Sequence, residues 1–171
     1  ALNMSFGRPI ALLLLGVLQI VGAEERLRKE VLVNQWDNPM ELTVLPDGRV
    51  LFVERFGLAG IWKPETKATV VAAKFAVHGA LNPSTKKDPD HGSWEAGLIG
   101  VTLSPEFEKT GWIYVYYSPA EDVPENRLSR FTLRGDELDL GSEKVVLRVA
   151  VQREVCCHEG GSLALDGEGN L

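Results

Sequence analysis

Beyond Glu25 the apolar positions come in short runs cut by turn residues, with no sustained helical period, so the chain reads as a series of strands. Residues 42–45 run into Pro46-Asp47-Gly48-Arg49 and resume at 50–53. This predicts a β-hairpin, because Pro presets its own φ and Gly accepts the positive φ of a tight turn. Residues 60–63 and 69–72 predict two more strands. A similar unit then recurs: residues 98–103 meet Ser104-Pro105, a connector reaches Gly111, and residues 112–117 follow. Residues 128–134 alternate, with Phe131 and Leu133 on one face and Arg130, Thr132 and Arg134 on the other, the pattern of a half-exposed outer strand. Gly135-Asp136-Glu137 turns this strand toward residues 138–140, and 145–151 predict one further strand.

The turn glycines Gly48, Gly111 and Gly169 recur at a spacing of roughly 60 residues, each copy holding about four strands. That organisation predicts an all-β fold, a β-propeller with long blades, over a sandwich with accidental spacing. Inner strands would be apolar throughout because both faces lie between neighbouring blades. Residues 163–165 lead into Asp166-Gly167 and a new apolar position, the opening of a third copy. About two and a half blades are therefore expected, too few to close a ring, and such a piece would leave sheet faces exposed.

Composition narrows the function classes. Apolar residues make up 44% and charged residues 25% of the 171 residues, ordinary for a globular chain. The formal charge of −6 argues against a nucleic-acid binder, which carries a basic excess. Two cysteines are too few for a disulfide-built mini-fold. At the N-terminus, Ala1-Leu2-Asn3 reads as upstream sequence and Met4 as the start. Arg8, the apolar residues 10–21 and Val21-Gly22-Ala23 before Glu24 have the form of a secretory signal peptide. The apolar run is shorter than the ~20 residues of a spanning helix. Residues 1–23 are accordingly assigned to upstream sequence and signal, and 24–171 to the truncated propeller. The mature protein is expected in the periplasm or outside the cell, an oxidising setting, with membrane contact only through an uncleaved signal segment.

Candidate chemistry concentrates at Cys156-Cys157-His158-Glu159-Gly160-Gly161. Neighbouring Cα atoms lie about 3.8 Å apart, below the usual disulfide range, so a vicinal Cys156–Cys157 disulfide is strained but possible in an oxidising compartment. Free thiols remain open, as does a metal site, although adjacent ligands fit one tetrahedral ion poorly. Haem attachment fails for want of the two-residue gap. His158, in a glycine-rich turn at the mouth of a strand, is either a proton acceptor near neutral pH or a plain surface histidine. Gly160-Gly161 would let a flat ligand approach the backbone. Asp88, Asp90 and His91 lack any metal-ligand spacing and read as a solvated loop; no metal site is assigned. Glu95 closes that loop just before a buried strand, pointing into a cleft or into solvent. Ser162 lacks a nucleophile-elbow pattern, so a serine hydrolase has little support.

Five segments in order carry a resemblance: Gly97-Leu98-Ile99-Gly100-Val101, Ser104-Pro105-Glu106-Phe107, Gly111-Trp112-Ile113-Tyr114-Val115-Tyr116-Tyr117-Ser118, Asn126-Arg127-Leu128-Ser129-Arg130-Phe131 and His158-Glu159-Gly160-Gly161-Ser162-Leu163. Together with Pro39-Met40-Glu41-Leu42 through Glu54-Arg55, they resemble the glucose/sorbosone dehydrogenase family over residues 31–171. The resemblance implies a six-bladed β-propeller that holds pyrroloquinoline quinone at one end of its axis and oxidises the anomeric carbon of an aldose to a lactone. It implies His158 as the general base, Glu95 beside the cofactor with Gly160 and Gly161, and calcium ligands and cofactor-clamping cations in blades after Leu171. It also implies a sugar substrate and an external electron acceptor such as a cytochrome, and the chain alone is expected to be inactive. The alternative is a non-catalytic propeller module of an exported protein that binds carbohydrate or protein. A lactonase-type propeller hydrolase would need a ring of carboxylates along the channel.

Overall fold

The computed structural model describes residues 28–78, 95–121, 123–153 and 158–171. The expected signal segment, the loop with Asp88, Asp90 and His91, and the Cys156-Cys157 pair lie outside the described residues. The chain divides into Ala1–Glu30 and Val31–Leu171. Of the first unit only residues 28–30 are described, exposed and without regular structure.

The second unit holds two antiparallel four-stranded sheets. One is β1 (Pro39–Val44), β2 (Val50–Glu54), β3 (Leu58–Lys63) and β4 (Ala68–Lys74) in that spatial order. The other is β5 (Leu98–Leu103), β6 (Trp112–Tyr117), β7 (Glu125–Arg134) and β8 (Glu137–Ala150), with a one-turn helix α1 (Phe107–Thr110) between β5 and β6. Every strand pairs with its sequence neighbour, the meander of a propeller blade. The expected hairpin is present, with Val44 opposite Val50.

The repeat read from turn glycines has a structural counterpart. Leu45 N–H donates to the Arg49 carbonyl at 2.8 Å, Ser104 N–H to that of Trp112 at 3.0 Å, and Asp166 N–H to that of Asn170 at 3.0 Å. Just before each acceptor sits a left-handed glycine, Gly48 (φ 86°), Gly111 (φ 67°) or Gly169 (φ 85°). The first strand of each described sheet also bulges at the same place, between Pro39 and Glu41 and between Leu98 and Gly100.

Two strand readings change. Residues 128–134 belong to β7, the third strand of its sheet, flanked by β6 and β8, and not to an outer edge. The expected alternation is present, with Phe131 and Leu133 buried and Arg134 exposed, while Arg130 is partly covered because its guanidinium stacks 3.9 Å from the Trp112 ring centroid. The outer strand is β8, which runs unbroken where two strands were expected. Its extra residues are absorbed by register shifts between Leu128/Ser129 and Arg130/Thr132. Ser142 Oγ accepts the Thr132 N–H at 2.8 Å and donates to the Asp139 carbonyl at 2.6 Å, which supplies the irregular stretch with hydrogen bonds.

The core lies between the two sheets. Leu51, Val53, Ala59 and Ile61 from the first blade meet Leu98, Val101, Ile113 and Val115 from the second, all at 2% exposure or less. Phe75, just after β4, meets Phe131 edge-on at 5.2 Å and Tyr117 at 5.5 Å. The other face of the first blade stays open, with Leu42, Val44 and Val71 exposed.

At the turn end of the blades, Asp136 takes Arg49 Nη1 at 2.6 Å and Lys63 Nζ at 2.5 Å, an ion triad across the blade joint. Lys63 first and Arg49 second hold its carboxyl below the usual carboxylate range. A depressed folded-state pKa stabilises fully above the ordinary value of 3.8 and is lost as pH falls through the folded value. Asp136→Asn is expected to cost less than ~1 kcal/mol at neutral pH, because the triad is partly solvated. The cost should shrink toward zero in acid, as read by urea midpoints at both pH values; an acid-independent cost would reject the triad as its source.

Candidate functional site

At the opposite end of the blades, His158 is exposed and its backbone lies at φ 75°, a region that non-glycine residues rarely occupy. Such a conformation costs about 1–3 kcal/mol and persists only where neighbours enforce it. Glu95 supplies part of that enforcement: its Oε2 accepts the N–H of His158 and, at 2.9 Å, that of Glu159. Glu95 is itself fixed by the turn into β5. Gly97 (φ 141°) lies so close to Arg55 that a Cβ there would strike the Arg55 carbonyl. That same carbonyl accepts the Leu98 N–H at 2.9 Å. The two residues proposed from sequence 63 positions apart are thus brought together, although Glu95 meets the backbone of His158 rather than its ring.

Glu159 points into the second blade. Its Oε2 accepts Asn126 Nδ2 at 3.0 Å and lies 3.2 Å from Ser118 Oγ, whose proton goes to Asn126 Oδ1 at 2.6 Å. The two glycines that follow differ. Around Gly160 nothing lies within 4 Å of the position a Cβ would take, so its backbone is open on that side. At Gly161 that position is filled: Tyr116 Cδ1 would be 2.6 Å away and Ile99 Cγ2 2.8 Å. Gly161 therefore serves the chain's own packing. Neighbouring Tyr117 is unsuited to proton abstraction, because burial first and Glu143 second push its hydroxyl up to about 12.

One more carboxylate secures the segment. Glu41, on β1, accepts the Val101 N–H at 2.8 Å and the Leu163 N–H at 3.4 Å through Oε2, and the Ser162 hydroxyl through Oε1. Glu41 thus ties the first blade, the second and the start of the third. Glu41, Ser118, Asn126 and Glu159 received no role from sequence. The repeat carried a signal for the first: Glu41, Gly100 and Ser162 each stand four residues before the N–H donors Leu45, Ser104 and Asp166. Between Glu41 and Ser162 only a glycine fits, because a Cβ on Gly100 would collide with the Gly161 carbonyl. Gly100→Ala is expected to cost about 1–3 kcal/mol and to loosen residues 158–163, measured by urea unfolding and hydrogen exchange; unchanged exchange there would refute the close contact. Among the described residues no group of three or more His, Cys, Asp or Glu could hold a metal ion, and no helix is long and apolar enough to cross a membrane.

Fold and site together define an all-β protein of the β-propeller class, with an exposed histidine on a segment without strand structure, its backbone clamped by Glu95 just before β5. The sequence profile described as Glucose / Sorbosone dehydrogenase matches residues 36–171. The chain belongs to the glucose/sorbosone dehydrogenase family. Among solved structures it is similar to an oxidoreductase described as a glucose dehydrogenase from Thermus thermophilus, with 27% identity and a TM-score of 0.67, over 82% of this chain and 38% of that one. It is also similar to the soluble aldose sugar dehydrogenase of Escherichia coli in its apo form, with 26% identity and a TM-score of 0.59, over 82% and 38% of the two chains. The PQQ-bound aldose sugar dehydrogenase of Streptomyces coelicolor shares the fold at 22% identity and a TM-score of 0.55, over 78% and 36%. The chain thus spans well under half the length of these proteins. No curated protein sequence matches it significantly.

Proposed function

We propose that this chain supplies the base-bearing blades of an exported quinoprotein sugar dehydrogenase, a six-bladed propeller that oxidises an aldose at its anomeric carbon to the lactone. The observation that carries this reading is His158, an exposed imidazole on a backbone held in the left-handed region by Glu95. Asn38 and Lys67 also have positive φ, so the strain gains its meaning at His158 from the carboxylate that holds it there.

In this reading the His158 imidazole would take the proton from the anomeric hydroxyl oxygen. Pyrroloquinoline quinone, when bound, would supply the acceptor for the C1 hydride and its electron pair. The residues present fit a planar group on one count. Gly160 leaves its backbone open beside His158, whereas the space at Gly161 is filled by Tyr116 and Ile99. Gly160 would therefore form the floor of the cofactor site, with Glu95 at its edge and Gly161 holding that floor against β5. Calcium ligands would come from further blades of the complete propeller. A cytochrome-like acceptor would reoxidise the cofactor, and residues 1–23 would direct export.

The complete gene product, purified without cofactor and assayed with aldoses and an artificial acceptor, is expected to turn over only after quinone and Ca²⁺ are added. No turnover across a panel of aldoses would overturn the proposal.

A further inference from the structure

We propose that Glu159 is a positioning residue for His158, docking on the buried pair Ser118 and Asn126 to hold the histidine's backbone in its left-handed state; this rests on the reading of His158 as the base.

Ser118 and Asn126 are 1% and 2% exposed. Buried polar side chains need partners, and these two form a socket: Ser118 Oγ donates to Asn126 Oδ1 at 2.6 Å, while Asn126 Nδ2 donates to Glu159 Oε2 at 3.0 Å. The socket is firm. Asn126 lies in β7 opposite Val149 of β8. Ser118 N–H donates to the Gly97 carbonyl at 2.8 Å, and the Ser118 carbonyl accepts the His78 N–H at 2.9 Å. The Glu159 carboxylate is therefore anchored in the second blade where β6 ends and β7 begins. Its own N–H is held at 2.9 Å by Glu95.

His158 thus sits on a peptide gripped from two sides. Glu95 holds the N–H groups of His158 and Glu159 from the turn before β5, and the Glu159 side chain pulls the following residue toward β7. Without the second grip, φ of His158 is free to relax to negative values, and rotation there swings the imidazole away from its direction. Glu159 acts here as an acceptor, its Oε2 taking the Asn126 Nδ2 hydrogen bond inside the blade. Acceptance is what the socket requires, and a glutamine carbonyl can accept as well.

The experiment uses the complete protein with Glu159→Ala, Glu159→Gln and Ser118→Ala. Hydrogen exchange of the peptide bearing His158 reads the backbone directly and needs no cofactor. Glu159→Ala is expected to exchange there about tenfold faster, and Glu159→Gln at close to the parent rate. In the reconstituted enzyme, Glu159→Ala is expected to lower kcat about 100-fold with KM for the aldose little changed, and Glu159→Gln to restore most of it. Parent-like exchange at His158 in Glu159→Ala would overturn the proposal, as would parent-like kcat. If Glu159→Ala does not fold, Ser118→Ala decides by the same exchange readout. If His158→Ala leaves turnover intact, the base reading fails while the exchange result still judges the clamp.

Discussion

Phe131→Ala is expected to lower the stability of the blade pair by about 3–5 kcal/mol, the range for truncating a buried aromatic ring. Phe131 is 2% exposed and sits where the two sheets meet, against Phe75 of the first blade and Tyr117 of its own. Removing the ring deletes its edge-on contact with Phe75 and opens a cavity between rigid sheets that cannot close over it. A domain's stability is commonly only ~5–15 kcal/mol, so this single change removes a large fraction. Urea unfolding followed by tryptophan fluorescence checks it. Phe131→Leu should recover part of the loss. A cost below that of an ordinary surface substitution, within about 0.5 kcal/mol, would show that the inter-blade core does not depend on this triad.

The largest functional effect is expected from His158→Ala. If the imidazole takes the hydroxyl proton in the rate-limiting step, turnover should fall about 10²–10⁴-fold, the usual contribution of a positioned general base. Stability should hold. The side chain is exposed, and alanine leaves the Glu95–backbone bonds in place. Quinone binding, followed by its absorbance on titration into the apoprotein, should survive, since the substitution removes the proton acceptor and not the open backbone at Gly160. Turnover within a few-fold of the parent would remove His158 from the chemistry. Loss of quinone binding together with activity would instead recast it as a cofactor contact.

Much of the fold was legible because strand and turn signals are local. The Pro46-Asp47-Gly48 turn, the glycine spacing and the apolar runs at β2 and β5 depend on steric rules within a few residues, and they appear as read. The β7 alternation holds, with Phe131 and Leu133 buried and Arg134 exposed, but its place at the outer edge does not, because β8 pairs along it. Arg130 looks like a solvent marker in one dimension, but its charge rests on the Trp112 face and its stem covers apolar surface. The break expected between 140 and 145 closed because Ser142 takes over a ladder bond, which is visible only once β7 is alongside.

The site divides in the same way. His158, Glu95 and Gly160 stand out in the sequence by residue type and by their neighbours at strand entrances. Glu41, Ser118 and Asn126 do not, because their links to residues 158–163 span 33 or more positions that no local pattern encodes. By itself the sequence determined most strands of the two sheets, the turns and the repeat, since these follow from backbone sterics and the alternation of apolar positions. It did not determine the strand order at the edge or the unbroken β8, and the strand expected at 163–165 is not formed. Only the tertiary structure decided which glycine is open and which is packed, and which carboxylates grip the histidine's backbone. Those outcomes depend on distances between segments that the chain brings together only when the two sheets close on their common core.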